Sequence, residues 1–236
     1  MTGAKTMFAL QSHGSIWLGP LAIAALFIFY GINFWRKQKA APQPLHDFAK
    51  TYSLKAESLQ KNEKARFVGE YNDMAVNARF FLREVESRKL GTLYVNVLKM
   101  TIRATTVLPG GPDLKHRGLD EKVGGLFGMA QGFKIGIAEF DKVVFIQGAD
   151  RRAVVGLFNS ERVRQVVREF FEDYPDASLS DSAVNFEAIE PTLTRQALAA
   201  MLTRGANLLA TLVAAANDAT IKRGARADVP PWEIPV

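Results

Sequence analysis

Residues 16–35 read IWLGPLAIAALFIFYGINFW and carry no charge over twenty positions. At 1.5 Å per residue a helix of this length spans about 30 Å, the thickness of a hydrocarbon core, so the run predicts one transmembrane helix. Trp17 near one end and Tyr30 and Trp35 near the other supply rings that are apolar in body and polar at the tip, suited to head-group depth. Gly19 and Pro20 fall in the first turn, where a membrane helix tolerates them. Arg36, Lys37 and Lys39 follow at once, whereas Lys5 is the only lysine or arginine before the span. The positive-inside bias then puts the following chain in the cytoplasm and residues 1–15 outside. A cleaved signal peptide would show the reverse polarity, with its positive charge ahead of a shorter apolar run.

The rest of the 236-residue chain is long enough for one well-cored domain. Its composition, 48% hydrophobic and 23% charged, argues against both wholesale disorder and a polytopic membrane protein. Cysteine is absent, which excludes disulfides, thiolate nucleophiles and thiolate metal sites. Thirty basic residues against 24 acidic ones leave a net charge of +6 without any dense Lys/Arg run. That pattern fits a solvated basic surface or an anionic membrane surface better than nucleic acid.

Pro42 and Pro44 close a linker, after which Leu45, Phe48, Ala49 and Tyr52 recur at helical spacing. The polar stretch 55–64 reads as a connector. Residues 67–71 and 74–85 read as a hairpin around Asn72 and Asp73, and 92–108 as the third strand of a meander that ends in Pro109, Gly110, Gly111 and Pro112. Residues 115–131 look like a glycine-rich loop. Phe133, Ile135 and Ile137 alternate as a strand would, 143–146 reads as a buried strand, and Asp141 and Lys142 would form the bend between the two. Asp150 can cap a helix burying Ala153, Val154, Leu157 and Phe158, and Ser160 or Asn159 can cap the next. In that next helix Val163, Val166, Val167, Phe170 and Phe171 make one apolar stripe, with Arg162, Arg164, Arg168, Glu169 and Glu172 on the other side, and Pro175 ends it. Residues 178–189 return to a strand pattern. The Ala- and Leu-rich run after Thr192 predicts a long helix, too short in uncharged length for a second span, in which Gly205, Ala206, Ala210, Ala214 and Ala215 would let another helix approach closely.

Chemical motifs are sparse. The cluster VGGLFGMAQG at 123–132 lacks both the Gly-Lys-Ser/Thr ending of a phosphate loop and G-x-G-x-x-G spacing. The three histidines are His13, His46 and His116, and His116 with Asp113 and Asp120 is no triad without a nucleophile. Neighbouring carboxylates such as Glu84 with Glu86, or Glu172 with Asp173, fit solvated charge. No metal ligand set, catalytic residue or cofactor is therefore expected. The segment VPPWEIPV at 229–236 differs in character: Pro230 and Pro231 preset an extended backbone beside Trp232 and Ile234, the composition of a segment that docks in a groove.

The run from Ile137 through FDKVVFIQGADRRAVVGLFNSERVRQVV, residues 137–167, resembles the closing strand and helices of membrane-anchored bacterial proteins of unassigned function. Upstream, GEYNDMAVNARFF is similar to their Gly-x-Tyr hairpin, with Asp73 and Met74 where Gly-Arg is more usual. The resemblance covers residues 66–187 and its motifs are structural. It implies a fold and a bacterial membrane location, and no activity.

The sequence thus predicts an α+β protein: one N-terminal transmembrane helix, a mainly antiparallel sheet of five to seven strands covered by helices, and a long C-terminal helix. Its parts are an extracytoplasmic stretch 1–15, the span 16–35, a basic linker 36–44, a cytoplasmic domain 45–190, the helix 191–223 and a Pro-rich tail 224–236. The expected role is a non-catalytic subunit or adaptor of a bacterial membrane complex. Its partners would be the membrane and other proteins of that complex, with self-association through the C-terminal helix as a further contact. The alternatives are a cytoplasmic-face sensor of anionic lipid or nucleotide, which a basic cleft near the glycine cluster would favour, and a membrane-tethered enzyme, which a pocket gathering His116 with Asp113, Asp120 or Glu121 would favour.

Overall fold

Asn72 and Asp73 both adopt positive φ, 50° and 60°, and join β2 (Glu63–Tyr71) to β3 (Met74–Ser87) through a two-residue turn closed by the pair Tyr71 and Met74. Positive φ at both central positions gives the turn a twist that matches the strands, and Asn and Asp tolerate it better than most residues. The computed structural model containing this hairpin describes residues 42–87, 91–118, 132–189 and 193–227, with side chains through 86 in the first stretch and 218 in the last. The expected span with Trp17, Tyr30, Trp35, Arg36, Lys37 and Lys39 lies outside the described residues. So do the tail with Pro230, Pro231, Trp232 and Ile234 and the glycine cluster up to residue 131.

The described chain is α+β. Eight strands form one antiparallel sheet in the order β1-β2-β3-β4-β8-β7-β5-β6, one strand more than the upper expectation. The additional strands come from segments that looked irregular. Lys55–Ala56 (β1) and the start of β2 occupy the supposed connector, Asp113–His116 (β5) runs into the start of the supposed glycine-rich loop, and 178–189 is a hairpin of β7 (Ser178–Ser180) and β8 (Ala183–Ile189), not one strand. β6 (Val144–Gln147) matches the expected strand, whereas β4 (Gly91–Arg103) ends five residues before the expected Leu108. Conversely, Phe133, Ile135 and Ile137 do not form a strand: Phe133 makes a single bridge to Ile146, and Ile137 precedes the short helix α2 (Ala138–Val143). Asp141 and Lys142 sit in that helix and not at a bend between strands.

One face of the sheet carries the core. Phe67, Val76, Ala78, Phe80, Leu98, Met100, Ile102, Val184 and Phe186 are buried along β2, β3, β4 and β8, as period-2 alternation requires. Helices α1 (Gln43–Thr51), α3 (Arg151–Leu157), α4 (Glu161–Asp173) and α5 (Arg195–Ala227) supply the matching apolar sides. Asp150 caps α3 by accepting from the N–H groups of Arg152 (2.9 Å) and Ala153 (3.1 Å). Ser160 occupies the N-cap position of α4 without a side-chain cap bond, and Arg164 of α4 donates to the carbonyls of Phe158 and Asn159 at the end of α3. The buried residues of α4 are Val163, Val167, Phe170 and Phe171.

Helix α5 packs on α1, α3 and α4 and crosses β4 and β8. Leu198, Leu202, Ala206, Leu208, Leu209, Leu212 and Ala216 are buried in the common core, so the domain's own sheet and helices cover its apolar side. Among the described residues, 195–218 is the one helix long and apolar enough to cross a membrane by length and composition. Its outer face carries Thr203, Arg204, Asn207, Asn217 and Asp218, polar groups suited to water. The small residue Gly205 does permit close approach, but to the sheet and not to another helix.

Candidate functional site: the projecting β3–β4 ribbon

The second sheet face is polar: its middle rows are half-buried, and Val97 on it is fully buried. Arg66, Arg79, Lys99 and Glu187 stand side by side on four strands, and beside them Val68, Asn77, Thr101 and Asn185 form the next row. Residues directly opposite in an antiparallel ladder share a face, so this surface is a mosaic of both charge signs. Arg66 pairs with Glu57 at 3.1 Å, Arg79 with Glu63 at 3.7 Å and Arg83 with Glu187 at 2.6 Å, while Thr101 donates to Asn185 at 2.9 Å.

The Arg83 hydrogen bond holds the Glu187 carboxyl below its usual range, against an opposing push from burial, and raises the guanidinium further. The folded carboxyl is the stronger acid, so the pair's contribution is present above the ordinary glutamate range and lost as pH falls through the depressed value. Both side chains are about a third exposed, at 35% and 37%, and water screens the pair. Replacing Glu187→Gln should therefore cost less than about 1 kcal/mol at neutral pH. The variant should also flatten the acid-side loss of stability, followed as melting temperature between neutral and acid pH. An unchanged acid profile would show that the pair does not report on stability.

β3 and β4 outrun their neighbours. Pairing of β3 with β2 ends at Phe81, and pairing of β4 with β8 ends at Val97 opposite Ile189. Beyond these points the rungs Arg83↔Val95, Glu84↔Tyr94, Val85↔Leu93, Glu86↔Thr92 and Ser87↔Gly91 form a two-stranded ribbon roughly 15 Å long. On this polar face, Ile189, the fully buried Val97 and the half-buried Phe81 make one apolar row, Val95 stands beside Arg83, and Val85 faces Leu93. Tyr94 and Glu84 point to the other side. Val85 is 37% exposed, Leu93 38%, Ile189 58% and Tyr94 64%. These are four of the seven exposed large apolar side chains among the described residues, so exposed apolar surface is concentrated here.

Other sequence candidates are not brought together. Asp113 and His116 lie three positions apart on β5, an odd spacing that turns them to opposite faces of the sheet. Asp113 pairs with Lys115 at 3.4 Å, and His116 Nδ1 accepts from the Gly118 N–H at 3.2 Å. Asp120 and Glu121 lie outside the described residues. No group of three or more His, Asp or Glu that could hold a metal occurs among the described residues. A recess of about 130 Å³ includes Tyr174, whose hydroxyl is pushed above its usual range by burial; its ring packs on Phe170 and Phe186 as part of the core. The ribbon was not singled out from sequence, although the run of Val, Leu and Tyr with nothing to cover it was the available signal. Compared with protein-family models, with curated proteins and with solved structures, the chain matches none.

Proposed function

We propose that this chain is a single-pass, membrane-anchored, non-catalytic subunit or adaptor of a bacterial membrane protein complex, with its α+β domain on the cytoplasmic side. Its partner docks on the β3–β4 ribbon. The uncharged run 16–35 followed by Arg36, Lys37 and Lys39 supports the anchoring and its direction. The observation that carries the docking role is the exposed strip of Val85, Leu93 and Ile189, with Tyr94 on the reverse side of the same ribbon. A two-stranded ribbon is marginally stable alone in water, so a partner that covers it gains both apolar area and order. The aliphatic strip, with Arg66, Arg79, Lys99 and Glu187 beside it on the same face, has the apolar centre and polar rim of a protein interface.

The test is affinity purification of the full chain in mild detergent followed by mass spectrometry. Leu93→Asp and Tyr94→Ser should each deplete the co-purifying membrane proteins, while stability changes by no more than about 1 kcal/mol because both side chains are substantially exposed. Deleting residues 224–236 should leave recovery unchanged. Loss of the partners on that deletion, with full recovery from both ribbon variants, would overturn the ribbon and move docking to the tail around Trp232.

A further inference from the structure

We infer that the cleft between the 133–136 segment and helix α3 is a binding site for a phosphomonoester or diphosphate group. It does not rest on the partner-docking role of the ribbon. The cleft has a volume of about 590 Å³ and gathers Lys134 from one wall with Arg151, Arg152 and Asn159 from the other. Among the described residues no carboxylate lines it and none of the three cations forms an ion pair. Asp150, beside them in sequence, directs one carboxylate oxygen to the N–H groups of Arg152 and Ala153.

Both walls are held in place. Phe133 bridges to Ile146 of β6, and the N–H groups of Ile135 and Gly136 donate to the Asp141 carboxylate at 3.0 and 2.9 Å. The Arg151 guanidinium lies over the Phe133 ring at 5.5 Å, which limits its freedom before any ligand arrives. Three cations with no ion pair among the described residues suit a group carrying close to two negative charges, as a phosphomonoester does at neutral pH, better than a single carboxylate. Arginine forks add bidentate geometry to the charge.

A second observation is independent of charge. Gly156 lines the cleft within α3, where glycine costs up to about 1 kcal/mol relative to alanine. A Cβ added there would meet nothing within 4 Å, so no packing neighbour requires the glycine. Its visible effect is to keep the cleft open.

The test measures pyrophosphate binding calorimetrically to the full chain in phosphatidylcholine nanodiscs. Saturable binding is expected, weakened at least roughly tenfold by Arg151→Glu with Arg152→Glu, and also by Gly156→Leu, which adds bulk to the cleft from a Cβ that meets nothing within 4 Å. Gly156→Leu should melt no lower than the parent chain, which separates loss of the site from loss of the fold. Lys55→Glu with Arg103→Glu, an equal charge change on the polar sheet face, should leave binding intact. Discs containing phosphatidic acid, compared with discs of a phosphodiester lipid at equal charge, distinguish the sources of the group: selective loss of pyrophosphate binding in the former assigns a lipid headgroup, and its retention assigns a free phosphate compound. Absence of saturable binding, or equal weakening by the sheet-face variant, would overturn the site.

Discussion

Gly205→Leu should lower the stability of the domain by about 3 kcal/mol, because overpacking a filled core forces neighbours off their rotamers. The position lies along α5 at its crossing of the sheet, and the glycine is buried. A Cβ built there falls 2.7 Å from Ile102 Cδ1 and 3.0 Å from Phe186 Cε2, and both side chains are themselves buried, at 0% and 3% exposure. Ile102 is β-branched and held in β4, and Phe186 is wedged against Phe170 and Tyr174, so neither has room to retreat. The gain in helix propensity on replacing glycine, under about 1 kcal/mol, is too small to offset this. A melt of the full chain in detergent should show a drop of roughly 6 to 12 °C. Ala210→Leu, on the exposed side of the same helix, should change stability by no more than about 0.5 kcal/mol. A Gly205→Leu variant that melts with the parent chain would mean that α5 is not seated on the sheet, and its apolar face would then be free for a second copy.

This pair of positions also shows what the sequence could and could not convey. The run of small residues at 205, 206, 210, 214 and 215 signals close approach, but not to what. Gly205 faces the sheet and Ala206 is buried in the core, whereas Ala210 and Ala214 are exposed. Elements specified by local pattern were legible: the Asn72–Asp73 turn, the Asp150 cap, the stripe along α4 and the helix around Leu45 and Phe48. Elements specified by distant pairing were not. β5 reads Asp-Leu-Lys-His, with Leu114 as its one fully buried side chain, and it is a strand because β6 and β7 flank it on both edges. The cleft was foreseen only as a condition, because Lys134 and Arg151 are separated by a helix and a strand that bring them face to face. The ribbon is legible only once one knows where β2 and β8 stop.

Asp141 is the second position where a large effect is expected, and its role also escapes local pattern. The residue is 7% exposed, the one buried charged residue among the described residues, and its two oxygens accept from successive backbone N–H groups, Ile135 at 3.0 Å and Gly136 at 2.9 Å. Gly136 has φ of +90°, a conformation that turns its N–H toward the carboxylate and that L side chains rarely adopt. A charged acceptor makes each bond stronger than a neutral one, and deleting it leaves two donors to find new partners. Gly136 is exposed and its N–H can return to water, while that of the half-buried Ile135 is less readily hydrated. Asp141→Ala should therefore cost about 2 to 3 kcal/mol, and Asp141→Asn, which keeps one acceptor oxygen, about half as much. Thermal melts of the two variants beside the parent chain measure this order. The same change should weaken pyrophosphate binding, because the segment released carries Lys134 into the cleft. Gly156→Leu loses binding with its melting point retained, whereas Asp141→Ala should lose both. Equal melting of Asp141→Ala and the parent chain would show that the 133–136 segment is held by its bridge to Ile146 alone, and the carboxylate would have no structural role there.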